Sequence, residues 1–290
     1  MNIRKGLFNT TSNSNLFHIS PDNCIAPLPL YEGKIFHQYD HRHTSFVGSG
    51  ETRKNKKVET KEKELPEYEF NPRFWVETIE IAKKLKNTKV SFIIGYRDIC
   101  RSTDERILIL SALPFSGISD TINICFLGNS DLQACFMANA NTMVIDYVVR
   151  QKCGGTHMSS FYLEQLPFLP PSAYTEADLA YISTRVLELS YTSYSMRPLA
   201  EALGYTGEPF PWDEDRRAQL KAELDAYYAK LYGLTREELA YILDPTTKYP
   251  TDCPTVTFPT LQNNEMKKYG EYRTQRLVLA AFDELTRQGK

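Results

Sequence analysis

Apolar and polar positions along the chain fall into short alternating or continuous runs in the first 170 residues and into longer helical periods after that. The stretch Ser91–Pro114 is the centre of the first part. Phe92, Ile93 and Ile94 form a β-branched and aromatic run that predicts a buried strand, and Ile107–Leu110 predicts a second. Between them lies a polar cluster, Arg97, Asp98, Arg101, Ser102, Thr103, Asp104, Glu105 and Arg106, too short for a helix of its own. Two buried strands that hold out a loop with three arginines can present rigid hydrogen-bond forks to a phosphate or a base edge. The alternative is that these arginines pair with the neighbouring carboxylates and only keep the loop soluble.

Around that hairpin the pattern predicts a short strand at Leu16–Ile19. It also predicts a strand–turn–strand over Pro27–Phe46 that pivots on Glu32-Gly33, with the glycine as the turn residue. The second arm carries Lys34, His37, Gln38, Asp40, His41, Arg42 and His43, and strand alternation would put His37, His41 and His43 on one side. Residues 48–69, rich in lysine and glutamate, are expected to be a flexible charged loop whose basic start, Arg53–Lys57, could touch a DNA backbone. Val76–Leu85 reads as a helix leading to a strand at Lys89–Ile94, and Thr121–Leu127 as another buried strand. Ser130–Arg150 reads as one long helix that ends in Arg150-Gln151-Lys152, beside its own last carbonyls, and stops at Gly154-Gly155. The remainder reads as helices over Ser172–Leu189, Pro211–Tyr232, Thr235–Leu243 and Asn264–Arg287, with Thr235-Arg236-Glu237-Glu238 as a capping box. The expected class is α+β. A mixed α/β domain over residues 1–170 is followed by a small helical domain over 171–290, with the break at Pro170-Pro171.

Composition changes this picture little. No apolar run approaches the ~20 residues of a membrane span. The six cysteines (Cys24, Cys100, Cys125, Cys135, Cys153, Cys253) show no metal-binding spacing and read as reduced thiols of a cytoplasmic protein. The net charge of −2 is uneven. Residues 1–165 carry 20 Lys and Arg against 18 Asp and Glu, and residues 166–290 carry 14 against 18. Neither part announces nucleic-acid binding by charge alone, so DNA contact has to come from local placement or from a partner domain. Three histidines in seven residues also admit a metal reading. Asp22, Glu32 and Lys34 loosely match the divalent-metal nuclease pattern, in which two carboxylates hold Mg²⁺ and a lysine steadies the attacking water. A third alternative is a protein-binding scaffold that uses the acidic helical half.

Several segments resemble a known family. YEGKIFHQYDHR, YRDICRSTDERILILSALP, the helix running into RQKCGGTHMSSFYLEQLPFLPP, and WDEDRRAQLKAELDAYYAKLYGL with the later GEYRTQRLVL are similar to the C-terminal portion of large bacterial adenine-specific DNA methyltransferases. These are the fused type II restriction–modification enzymes and the phage-defence methylases, and the resemblance covers most of the chain from about residue 28. It implies a target-recognition domain that reads double-stranded DNA for a methyltransferase domain acting in cis or in trans. Asn71-Pro72-Arg73-Phe74 is the only near match to the catalytic Asn/Asp-Pro-Pro-aromatic motif, and it lacks the second proline. There is no glycine-rich loop for S-adenosylmethionine, which is expected in the methyltransferase domain. The chain is therefore not expected to be catalytic alone. The expected DNA-contacting residues are His37, Gln38, His41, Arg42, Arg97, Arg101, Ser102 and Thr103, then Lys152, Thr156 and His157, because Arg and Gln read base edges bidentately while Lys, Ser and Thr hold phosphate. Arg42 and Arg97 could equally be structural, paired with Asp40 and Asp98 or bracing the seam with the methyltransferase domain.

Overall fold

A computed structural model describes residues 2–48, 54–86, 90–247, 251–252 and 255–289. Arg53, Lys89 and Cys253 lie outside the described residues. The fold is α+β. Nine strands make three small sheets among the described residues: β1 (Asn2–Lys5), β2 (Pro27–Tyr31), β3 (Thr44–Val47), β4 (Lys54–Lys57), β5 (Trp75–Glu77), β6 (Phe92–Arg97), β7 (Leu110–Pro114), β8 (Gly117–Ile118) and β9 (Ile122–Phe126). Among the described residues no helix is long and apolar enough to cross a membrane.

The chain divides into two compact units, each discontinuous in sequence, and not at Pro170-Pro171. The first comprises residues 1–99, 109–137 and 186–212; the second comprises 100–108, 138–185 and 213–290. A single break fails because long-range polar contacts tie the pieces together. Thr192, far along the chain, closes onto Arg42 in the first unit, and the loop 100–108 is held by the helix Met143–Lys152 in the second.

All three sheets belong to the first unit. The largest has the antiparallel order β1-β9-β6-β7, so the apolar run Phe92–Arg97 lies between two neighbours, with Ile94 opposite Ala112 on one side and Cys125 on the other. β7 begins only at Leu110, although the Ile109 carbonyl still accepts the Arg97 N–H at 3.1 Å; the Ile107 and Leu108 N–H groups are taken by Asp146 instead. The core gathers Phe8, Tyr31, Phe36, Ile81, Leu113 and Ile122, all fully buried. Burial of this apolar surface is the main stabilising term.

Several sequence expectations change here. The polar arm after Gly33 is not a strand until Thr44; residues 35–43 form turns closed by a His37–Asp40 bridge, so alternation cannot align the three histidines. Gly33 is needed for close approach, since a Cβ there would lie 2.9 Å from the Thr121 carbonyl oxygen. Lys54–Lys57 is not loop but the strand β4, paired with β3, and a helix Thr60–Lys63 with a capping box follows it. The expected strand at Leu16–Ile19 is replaced by a short 3₁₀ turn, Ser14–Leu16, and a single bridge from His18 to Trp75.

The second unit is helical among its described residues. Glu214–Leu231 lies against Arg273–Arg287 with Leu220, Leu224, Tyr228, Val278 and Phe282 buried. The expected helix Ser130–Arg150 is two helices, Ser130–Ala140 and Met143–Lys152. Thr142 caps the second, accepting from the Ile145 N–H while donating to the Asn139 carbonyl. Local side-chain bonds of this kind compete with helix continuity. The last expected helix is likewise split, into Pro259–Tyr269 and Arg273–Arg287, by Gly270 in the left-handed region (φ 76°).

Candidate nucleic-acid interface

In the second unit the loop 100–108 is fastened from below by one buried carboxylate. Asp146, fully buried on the helix Met143–Lys152, accepts the Ile107 N–H at 2.8 Å and the Leu108 N–H at 3.0 Å through one oxygen. Its other oxygen meets Arg150 Nε at 3.1 Å and Arg106 Nε at 3.5 Å. Arg106 then donates to the Asn141 carbonyl at 2.6 Å, and Arg150 donates to the carbonyls of Ser102, Asp104 and Glu105 at 3.0–3.1 Å. Arg150 is therefore not spent on its own helix end, as its position suggested; the i,i+4 spacing aims it at Asp146 and the loop beyond. A charge buried this completely is tolerated because three N–H donors and two guanidinium charges face it. The loop is also held from outside: Thr260 donates to the Thr103 carbonyl at 2.6 Å, and the Asn264 amide donates to Glu105.

What this leaves facing solvent is a strip built from two segments. Arg101, Ser102 and Thr103 are exposed on the loop, and Lys152, Gly154, Gly155, Thr156 and His157 are exposed beyond the helix. The Cys100 N–H donates to the Thr156 carbonyl at 3.0 Å, which sets the two segments side by side. Arg101 and Lys152 are the outward cations, and Asp104, which accepts the Arg101 backbone N–H at 3.0 Å, is the acidic neighbour.

The glycine pair is unusual within this strip. Neither Gly154 nor Gly155 has a positive φ, and a Cβ on either would meet nothing within 4 Å. Helix termination does not use them as left-handed caps either, since Cys153 occupies the cap position in extended geometry. The fold itself thus has no use for glycine here, although glycine costs conformational entropy on folding. Close approach of an external backbone would explain the choice.

The other expected contact residues lie in the first unit and point inward. Arg42 is 0% exposed and spends its guanidinium on four carbonyls: Leu65 at 2.8 Å, Tyr68 at 2.7 Å, and Lys63 and Thr192 each at 2.7 Å. Burial pulls its pKa down, against the pull of Glu69 and Asp40. His41, also buried, meets the hydroxyls of Ser193 at 2.8 Å and Ser195 at 3.2 Å. Gln38 is buried, and half-buried His37 stacks at a tilt on His43, 4.9 Å between centroids. Arg97 donates to the Phe36 carbonyl and lies over the Phe36 ring at 5.6 Å. So Gln38, His41 and Arg42 are corrected from surface readers to interior fasteners, and Arg97 is turned toward Phe36. Their sequence neighbourhood looked exposed because their partners lie 20 to 150 residues away. In the guanidinium hydrogen bonds named above, backbone carbonyls rather than Asp40 and Asp98 are the acceptors.

Asp40 instead binds Lys63, a lysine 3% exposed that also sits 4.3 Å above the Trp212 ring. His43 reaches the same carboxylate at 3.3 Å, yet burial holds its pKa below the ordinary histidine value. Among the described residues no group of three or more His, Cys, Asp or Glu side chains is arranged to hold a metal ion. Asp22 sits in a 3₁₀ turn with its carboxylate bonded to Ser20, while Glu32 is buried with its pKa raised by desolvation. The charges acting on Glu32 come from Lys34, Arg73 and Asp120.

Sequence reasoning missed Asp146, Arg106 and Lys63 as organisers. Only the Asp146–Arg150 spacing was a visible signal for any of them. No family model, curated protein or solved structure matches the chain.

Proposed function

We propose that this chain is the DNA-reading portion of an adenine-specific DNA methyltransferase of restriction–modification type. It would work with a methyltransferase domain, in cis or in trans, that binds S-adenosylmethionine and performs the chemistry. The observation that carries the reading is the strip of Arg101, Ser102, Thr103, Lys152, Thr156 and His157, displayed outward on a loop and a helix end that Asp146 fastens from beneath. An arginine on such a support can give both hydrogen bonds to a guanine edge, and hydroxyls and a lysine beside it can hold phosphates. Rigid support matters because an interface that is already ordered loses less entropy on binding. The open Gly154-Gly155 turn would let a phosphate backbone approach the protein main chain. No catalytic residue is assigned to this chain.

The test is an electrophoretic shift of the chain on random duplex DNA at low and at physiological salt. The expected result is a shift that weakens steeply as salt rises, followed by enrichment of a defined sequence on repeated selection. Absence of any shift at low salt, with or without an added methyltransferase domain of this family, would contradict the reading.

A further inference from the structure

Two of the buried cysteines meet beneath the exposed strip. Cys100 opens the loop and Cys153 ends the helix Met143–Lys152, 53 residues later; both are within the second unit and only 2–3% exposed. Their sulfurs are 4.0 Å apart, in direct contact as thiols. The backbone already brings these segments together, since the Cys100 N–H donates to the Thr156 carbonyl at 3.0 Å and the Cys153 thiol points to the His157 carbonyl at 3.7 Å. A disulfide needs about 2.05 Å between sulfurs and a torsion near 90°. The missing ~2 Å is within reach of side-chain rotation when the backbone is already this close.

We propose that Cys100 and Cys153 are a modification site, a thiol pair that closes to a disulfide under peroxide and so bolts the loop 100–108 to the end of the helix Met143–Lys152. The inference is independent of DNA binding. The chemistry balances with hydrogen peroxide as the oxidant. One cysteine sulfur attacks a peroxide oxygen, the O–O bond breaks, and a sulfenic acid and one water form. The second sulfur then attacks the sulfenic sulfur, the S–O bond breaks, and a second water leaves with the remaining thiol proton. Two thiols are oxidised by two electrons, and one peroxide is reduced to two waters. A thiol already in contact with the sulfenic sulfur makes the second step intramolecular. Cys125 serves as an internal reference: it is buried in the sheet of the first unit, where desolvation pushes its pKa up to about 12.

The full chain is treated with hydrogen peroxide, quenched, unfolded, alkylated with N-ethylmaleimide, and measured by intact mass and peptide mapping. Of the six cysteines, four are expected to take the label after oxidation and all six after dithiothreitol. The map is expected to show one cross-linked peptide joining Cys100 to Cys153. Cys100→Ser and Cys153→Ser are each expected to give no cross-linked peptide after the same treatment, the partnerless cysteine being recovered as the labelled thiol or as the sulfenic acid of the first step. Six labelled thiols in the oxidised wild type, oxidation beyond sulfenic acid at Cys100 or Cys153 without cross-linking, or a bridge from either to another cysteine would overturn the proposal. The wild-type map decides the matter even where a serine variant folds poorly.

Discussion

Arg42 in the first unit and Asp146 in the second are both fully buried charges that join distant chain segments, yet they leave opposite surfaces behind. Arg42 draws four carbonyls from two distant segments of its unit inward, so the histidines and glutamine around it are consumed by the interior. Asp146 draws in the backbone N–H groups of one loop and two arginines, and the loop's remaining side chains are turned outward. A buried cation satisfied by carbonyls fastens a core; a buried anion satisfied by a loop's N–H groups can hold up a binding surface. The sequence density of polar residues is similar in both places, and only the direction of the fastening separates them.

The largest expected effect comes from removing the first fastener. Arg42→Met strips the partners from four carbonyls, and it should cost about 3–5 kcal/mol in urea unfolding. Arg42→Lys should recover only part of that, because one ammonium cannot span two pairs of acceptors. A loss of under ~0.5 kcal/mol for the methionine variant, as at an ordinary surface site, would remove the distinction between the two regions.

The next effect is one of pH, and it belongs to the second unit. Asp225 is buried, accepts the Met143 N–H at 2.6 Å, and has its pKa raised by desolvation to about 6, with Arg106 and Lys221 opposing and Asp146 adding to the rise. A carboxyl whose folded pKa exceeds its unfolded value binds more protons when folded. Its contribution is therefore complete below about pH 4 and lost as pH rises through about 6. A shift of about two units corresponds to about 3 kcal/mol. Comparing urea unfolding of the wild type with Asp225→Asn from pH 4 to 7 isolates this contribution: the variant should gain on the wild type across that window. A constant difference between them would show that Asp225 does not titrate in it.

Asp146→Asn should cost about 2–3 kcal/mol, since the amide oxygen can still accept from the loop N–H groups while Arg106 and Arg150 lose their counter-charge. Hydrogen exchange at Ile107 and Leu108 should quicken in the same variant. The smallest effect on stability is expected at the glycine turn. Gly154→Ala with Gly155→Ala should be neutral or stabilising by about 0.4–1 kcal/mol, while DNA affinity falls because two methyl groups stand where a backbone would approach. Unchanged affinity would leave the glycines without an account.

Much of this fold was legible along the chain. The apolar runs of β6 and β9, the capping box at Thr235 and the extent of the helix Glu214–Leu231 are set by local pattern, and the structure places them within a few residues of expectation. What was not legible depends on partners far away in sequence. Lys63 sits in a run of charges that reads as solvated, and only Asp40 and Trp212 make it an interior residue. The histidine arm looked like a strand face until Thr192 and Ser193, 150 residues on, closed over Arg42 and His41. For the strip itself, Arg101–Thr103 and Lys152–His157 were separately visible as polar turns. Their adjacency was not, because the Cys100–Thr156 bond and the reach of Arg150 into the loop are tertiary facts.

The most direct test of the central claim is a salt titration of DNA binding for the wild type and for Arg101→Ala/Lys152→Ala, with unfolding measured on both. The account predicts stability within ~0.5 kcal/mol of wild type, weaker binding, and a plot of log affinity against log salt whose slope is shallower by about one for each phosphate that is no longer neutralised. Unchanged affinity and slope in a folded double variant would contradict it and place the DNA surface elsewhere.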